Sequence, residues 1–535
     1  MVEPNLRSVS GWINASVDGN PLLAFAFSDP KIAQNSGGLS MRLSRAALAF
    51  VLATTSTVPA FAETPEDALA SRFRAASAWL DANLAKESAP GAAIGVVHDQ
   101  DLIWSHQFGV ESYATQNPVT DDTLFSICSV SKLFNGVAAM NLVEEGQLDL
   151  DAPLTRYDAS MALPDKLGSE EPVTTRGILS HVAGLPREGT LDYWADNSFP
   201  DVAGLRETVS SQEQLYKPYD HWQYSNLGMA MLGDVVSRIS GKSWGDYVDQ
   251  TIFTPLGMTG SVTDMPFDRV GNGFAQGYYI RTAKGERQPV EQHSFRAFAP
   301  AAGVASSIHD MAKFASWNFR LLDQGGEEIL KATTLKNMQR VHWVGADFEE
   351  PAWGLAYATR RYSEKTMWGH GGYCPGARTE LVMRLPTKVA AVMMVSANDV
   401  SPGAMVKTVY SLTEEAIDKV HGKAAIEAKK AAKTIKTAKA EGAESKVDLS
   451  AYEGSYHVAN YDWDLYVGFN EDGLFALPIF TDDPVGDLET WVHEKGDTFR
   501  RKRKDDTLAE AITFERDAAG KVTALVQHSY RSTKR

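Results

Sequence analysis

The 535-residue chain holds only two cysteines, Cys128 and Cys374. That excludes a disulfide-rich scaffold and a cysteine-built zinc site. No apolar run reaches the roughly 20 residues a membrane-spanning helix needs. Basic residues are in deficit: 52 Lys and Arg stand against 68 Asp and Glu, a formal charge of −16. A nucleic-acid binder needs clustered positive charge, so no nucleic-acid partner is expected. No His, Cys or Asp cluster has ligand spacing, and neither metal nor cofactor is expected. The apolar (44%) and charged (22%) fractions are those of a globular protein, and the length allows two or three domains.

Met41 opens a second beginning. Arg42 and Arg45 precede the apolar run Ala46–Leu52, and Ala60-Phe61-Ala62 follows. A charged start, a short apolar core and a small-residue cleavage site make a secretory signal. Residues 1–40 are read as a mis-assigned upstream extension and 41–62 as the signal peptide. The mature chain then starts at Glu63, in the periplasm or outside the cell. That compartment is oxidising, which gives the cysteine pair a meaning.

Leu69, Phe73, Leu80 and Leu84 recur at helical spacing. Ala92–Val97 and Leu102–Trp104 flank His98-Asp99-Gln100-Asp101 as a β-hairpin. A further helix, with Leu133, Phe134, Val137 and Met140, ends near Gly146. Strands are expected over 379–383 and 390–395, and a closing helix over 404–420. An Ala/Lys/Glu-rich segment, 421–447, reads as a linker. Beyond it, short β-like runs with turns at Asp472-Gly473, Lys495-Gly496 and Ala519-Gly520 predict a small antiparallel barrel or sandwich over 448–535.

Three short motifs carry chemistry. Ser129-Val130-Ser131-Lys132 puts a lysine amine within reach of a serine hydroxyl, because residues three apart share a helix face. A serine hydroxyl needs a neighbour to take its proton before it can attack. Tyr224-Ser225-Asn226 and His370-Gly371-Gly372 follow in order. Gly241-Lys242-Ser243-Trp244-Gly245 matches the nucleophile-elbow pattern, but the residues before it are helical where that elbow needs a strand. Ser243 is therefore read as a helix N-cap. His181 is read as a loop-orienting residue.

As an ordered set, the three motifs resemble the serine β-lactamase and penicillin-recognising superfamily, in particular its class C branch of carboxypeptidases, aminopeptidases, esterases and LACTB-like proteases. The resemblance spans about residues 66–420 and places the hydrolase domain at 63–420. It implies an α/β (α+β) fold, an antiparallel sheet flanked by helices with an all-α subdomain. It implies Ser129 as the acylated nucleophile, with Lys132 and Tyr224 as proton-transfer groups whose division of labour stays open. Asn226 would position Lys132 and the substrate. The amides of Ser129 and Tyr373 would form the oxyanion hole, and Gly371 and Gly372 would line the substrate site.

Two departures from the β-lactamase pattern matter. His370 replaces a lysine, which makes a fixed charge titratable near neutral pH. Gly371 replaces a hydroxyl that helps hold a substrate carboxylate. The expected activity is hydrolysis of small or unusual peptides or amides, with carboxylesterase chemistry as the alternative. β-Lactamase or D-Ala carboxypeptidase activity ranks lower, and an inactive penicillin-recognition sensor ranks last. Cys128 lies directly before the serine and Cys374 four residues after His370, offsets at which certain class A carbapenemases carry a disulfide. The resemblance implies a Cys128–Cys374 bond.

Overall fold

The computed structural model describes residues 65–535, apart from 190–192, 292, 346–351, 363–364, 423–446, 460–462, 471–472, 479–488, 504 and 529. The upstream extension, the signal peptide and nearly all of the linker lie outside the described residues.

Seven strands form one antiparallel sheet: β1 (Gly91–His98), β2 (Asp101–Gly109), β3 (Ala352–Trp353), β4 (Ala358–Tyr362), β5 (Lys365–Cys374), β6 (Ala377–Arg384) and β7 (Val389–Val395). Their order is β2-β1-β7-β6-β5-β4-β3. The first hairpin therefore pairs with the last strand: Ala92 faces Val395 and His98 faces Val389. The reason lies in β7, which is apolar at every position. Val389, Ala391, Met393 and Val395 enter one core, while Ala390, Val392 and Met394 enter the other. Successive strand side chains point to opposite faces, so such a run needs cover on both.

Five helices matter here: α1 (Pro65–Lys86), α2 (Ser131–Glu144), α3 (Asn226–Ser240), α4 (Ile308–Gln324) and α5 (Pro402–Ile417). One face of the sheet takes α1 and α5. Leu69, Phe73, Ala76, Leu80 and Leu84 of α1 meet Val406 and Val409 of α5 in that core. Burying one such Leu contributes roughly 1.5–3 kcal/mol. On the other face α4 packs through Ile308, Met311, Phe314 and Ala315.

Behind α4 lies the helical part of the fold. There α2 is buried all round from Ser131 to Met140, Lys132 included. A helix without a wet face belongs inside a core. Asn135 fixes its rotation: its amide donates to the Met229 carbonyl of α3 at 3.1 Å and accepts from Trp244 Nε1 at 3.0 Å. Ser225 caps α3 by accepting from the Gly228 amide at 2.8 Å, and Gly241, in the left-handed region, ends it.

At the C-terminus, strands between Gly454 and Lys534 close into an antiparallel barrel, eight of them among the described residues. Tyr456 of the first strand pairs with Lys534 of the last. Tyr452, Tyr456, Trp491, Phe499 and Phe514 fill it. Of the two expected forms, barrel or sandwich, it takes the barrel, which leaves no open sheet edge. No helix among the described residues is long and apolar enough to cross a membrane.

Candidate active site

Ser129 sits in a single 3-10 turn, Cys128–Val130, that feeds α2. Ser131 secures the turn: its hydroxyl donates to the Cys128 carbonyl at 2.6 Å and accepts from the Val304 amide at 3.0 Å. Cys128 adopts φ +50°, in the left-handed region that disfavours a β-carbon. Its sulfur is bonded to that of Cys374 at the end of β5, with the Cα atoms 5.6 Å apart. Gly372 lets β5 come this close. A Cβ there would lie 2.3 Å from the Ile127 carbonyl oxygen. Ser129 and Tyr373 are thus carried on two segments that touch and are covalently joined.

Lys132 projects from the first turn of α2. Its Nζ lies 3.0 Å from Ser129 Oγ, 2.7 Å from the Ala301 carbonyl oxygen and 4.9 Å from the Tyr224 ring centroid. Burial pushes its pKa well below the ordinary lysine value; nearby Glu188 opposes the shift and Arg187 adds to it. The Tyr224 phenol also interacts with the Ser129 side chain. Burial raises the phenol above its usual pKa; the Ser129 hydrogen bond and the Arg187 guanidinium, 4.9 Å from the ring centroid, act against the rise. One hydroxyl therefore stands between an amine pushed towards its free-base form and a phenol kept protonated.

His370 differs from the expectation of a group titrating near neutrality. Burial, reinforced by Lys132, pushes it down to about 3. Its Nδ1 donates to the Gly371 carbonyl at 2.6 Å. At pH 7 it is a neutral imidazole. Asn226 Nδ2 donates to the Glu188 carboxylate, and Lys132 donates to the Ala301 carbonyl. At Gly371 a Cβ would meet Glu380 Oε2 at 2.8 Å. The place of the family's hydroxyl is taken by the Glu380 carboxylate, itself paired with Arg360.

His181 orients the second motif: its Nδ1 accepts from the Ser225 amide at 3.2 Å and its carbonyl from the Gln223 amide at 2.7 Å. Its ring packs 4.3 Å from Tyr224 and 4.7 Å from Trp353 between centroids. Ser243 caps a short helix by accepting from the Asp246 amide at 3.0 Å. Ser129, Tyr224, His370, Gly371, Gly372 and Tyr373 all line one cleft of about 630 Å³. A cleft of about 700 Å³ around His309 and Lys313 contains none of them. Sequence reasoning missed Glu188, Trp353, Arg360, Arg378 and Glu380. Only Glu188 had a signal nearby, directly after the Gly184-Leu185-Pro186-Arg187 turn that cradles the second motif.

The beta-lactamase family model matches residues 76–411. Beta-lactamase-like protein 2 of Dictyostelium discoideum is 23% identical over 439 residues, 78% of this chain and 78% of that protein. Esterase EstB of Burkholderia gladioli is 31% identical over 316 residues, 52% of this chain and 77% of the esterase. The octameric penicillin-binding protein homologue of Pyrococcus abyssi shares the fold, with a TM-score of 0.55 at 20% identity, covering 86% of this chain and 100% of that one. The matched span runs through both the sheet and the helical part and contains Ser129, Lys132, Tyr224 and His370: the chain belongs to the beta-lactamase family of serine hydrolases.

Proposed function

We propose that the protein is an exported serine hydrolase that forms an acyl-enzyme on Ser129, with small or unusual peptides and other amides as substrates. The hydrolase domain is residues 63–420, joined through 421–447 to the barrel domain 448–535. The observation that carries the reading is the opposite push on the two groups flanking the Ser129 hydroxyl. Environments that separate two pKa values assign the base and the acid. Lys132, as a free amine, donates to the Ala301 carbonyl and takes the Ser129 proton as Oγ attacks the substrate carbonyl. The amides of Ser129 and Tyr373 stabilise the developing oxyanion, each worth a few kcal/mol in typical enzymes. Tyr224 gives its proton to the leaving nitrogen, and the proton held by Lys132 then restores the phenol. In deacylation water adds to the ester, its proton passes to the same network, and Oγ leaves and is reprotonated.

An amine is a poor leaving group unless it is protonated, and a phenol kept neutral is suited to that step. A free substrate carboxylate finds little support at the third motif. His370 is uncharged, Gly371 has no hydroxyl, and the Arg360 guanidinium beside it is already paired with Glu380. The second reading, a carboxylesterase, is favoured by the 31% identity to esterase EstB.

Intact-mass analysis after a fluorophosphonate should give one adduct, lost in Ser129→Ala and kept in Ser243→Ala. An adduct mapped to Ser243 would sink the assignment. The same protein should cleave aminoacyl anilides or oligopeptides faster than nitrocefin. Turnover of p-nitrophenyl esters alone would give the site to esters.

A further inference from the structure

Glu188 has no role in the reading above, yet its carboxylate touches Asn226, Tyr193 and the Arg187 guanidinium, the last at 3.5 Å. Its Oε1 accepts from the Asn226 amide nitrogen, and its Oε2 accepts from the Tyr193 hydroxyl at 3.0 Å. Tyr193 is fully buried, and its oxygen also accepts from the Gly189 amide at 3.0 Å. The backbone on either side is fixed as well. The Arg187 carbonyl accepts from the Asn226 and Leu227 amides at 2.8 and 3.2 Å, and the Pro186 carbonyl accepts from the Ser225 hydroxyl at 2.6 Å. The carboxylate is therefore held still, with the second motif docked on its own loop. Its grip on Nδ2 decides which way the Asn226 amide points. The Asn226 Oδ1 is buried and without a hydrogen-bond partner among the described residues.

Resting on the acyl-enzyme reading, we propose that Glu188 is a positioning residue: it sets the orientation of the Asn226 amide, and from that anchored place its negative charge acts on the Lys132 amine. The charged and titratable groups around that amine are Glu188, Arg187, His181, His370 and Tyr224. Arg187 repels a proton on Lys132, and both imidazoles are neutral at pH 7. Glu188 works the other way. It keeps the proton affinity of Lys132 from falling so far that the amine can no longer hold the serine proton.

The test is the pH profile of Ser129 acylation by a fluorophosphonate, read by intact mass. Glu188→Gln keeps the size and an acceptor for Asn226 but removes the charge. Whichever limb of the profile belongs to Lys132 should move to lower pH by roughly one unit. Glu188→Asp keeps the charge and shortens its reach, so it should shift the limb less. A wild type that forms no adduct overturns both the acyl-enzyme reading and this inference. A wild type that acylates, beside Gln and Asp variants whose limbs coincide with it, overturns this inference alone. Slower acylation in folded variants with an unmoved limb also overturns it, because that is a packing role only.

Discussion

The floor of the cleft and its rim both carry basic residues, in opposite states. On the floor Lys132, His181 and His370 are buried, and burial drives each towards its neutral form. On the rim Arg187, Arg360 and Arg378 stay charged, because a guanidinium is not deprotonated in proteins. Arg187 is exposed and stacks on Tyr224, Arg360 pairs with Glu380, and Arg378 stacks on Tyr373. The contrast shows how one chain separates chemistry from attraction. Residues that can lose a proton are placed where desolvation takes it, and residues that cannot are left in contact with water.

The contrast breaks most severely at its centre. Tyr224→Phe and Lys132→Met each remove one side of the proton path, and kcat should fall by roughly 10²–10⁴ with the fold intact. Steady-state turnover beside thermal melts checks this. Near wild-type turnover in the Phe variant would leave Tyr224 a packing residue.

A smaller effect sharpens the neutral floor. His370 has its pKa lowered on folding from 6.5 to about 3. As pH falls through 6.5, the unfolded chain takes up a proton that the native state refuses. Stability is therefore full above 6.5 and is lost progressively down to about pH 3, by a few kcal/mol at about 1.4 kcal/mol per unit. His370→Asn should flatten the dependence of Tm on pH between 7 and 4.5, and His181 should keep part of the slope. Parallel melting curves for the two proteins would contradict this.

The smallest effect is expected at the rim. Arg378→Ala should leave kcat unchanged and raise KM for anionic substrates by up to about fivefold, the reach of an exposed charge contact. The difference should fade at 0.5 M salt, where screening is strong. A salt-independent loss would mean that Arg378 shapes the cleft rather than charging it.

How much of this could be read in the chain differs between the two regions. Ser129, Lys132, Tyr224 and His370 were legible because they fall in short motifs in a fixed order, and the structure brings Ser129, Tyr224 and His370 into one cleft with Lys132 buried against Ser129. The hairpin around Asp99 and the strand over 390–395 were legible because their apolar patterns are strong. The neutral state of His370 was not, since it depends on how much chain covers the ring. Nor were Arg360, Arg378 and Glu380: on their strands they read as ordinary polar positions, and only the pairing of β4, β5 and β6 turns them towards Gly371. In the barrel, the strand Thr498–Lys502 was missed because Arg500, Arg501 and Lys502 hide its period behind charge, while Phe499 alone points inward.

The pairing of β1 with β7 also governs when this enzyme can come into being. As the chain is made, the hairpin of β1 and β2 emerges directly after α1, long before the strand it pairs with. Its apolar strand Ala92–Val97 waits without its β7 partner until Val395 has followed, and so long a wait favours slow folding and aggregation. The bond from Cys128 can close in the same interval, once Cys374 has followed 246 residues after it, and it needs an oxidant at that moment. A chain cut short before Val395 is an unfinished sheet with its nucleophile already made, so catalytic competence is among the last properties the nascent protein acquires.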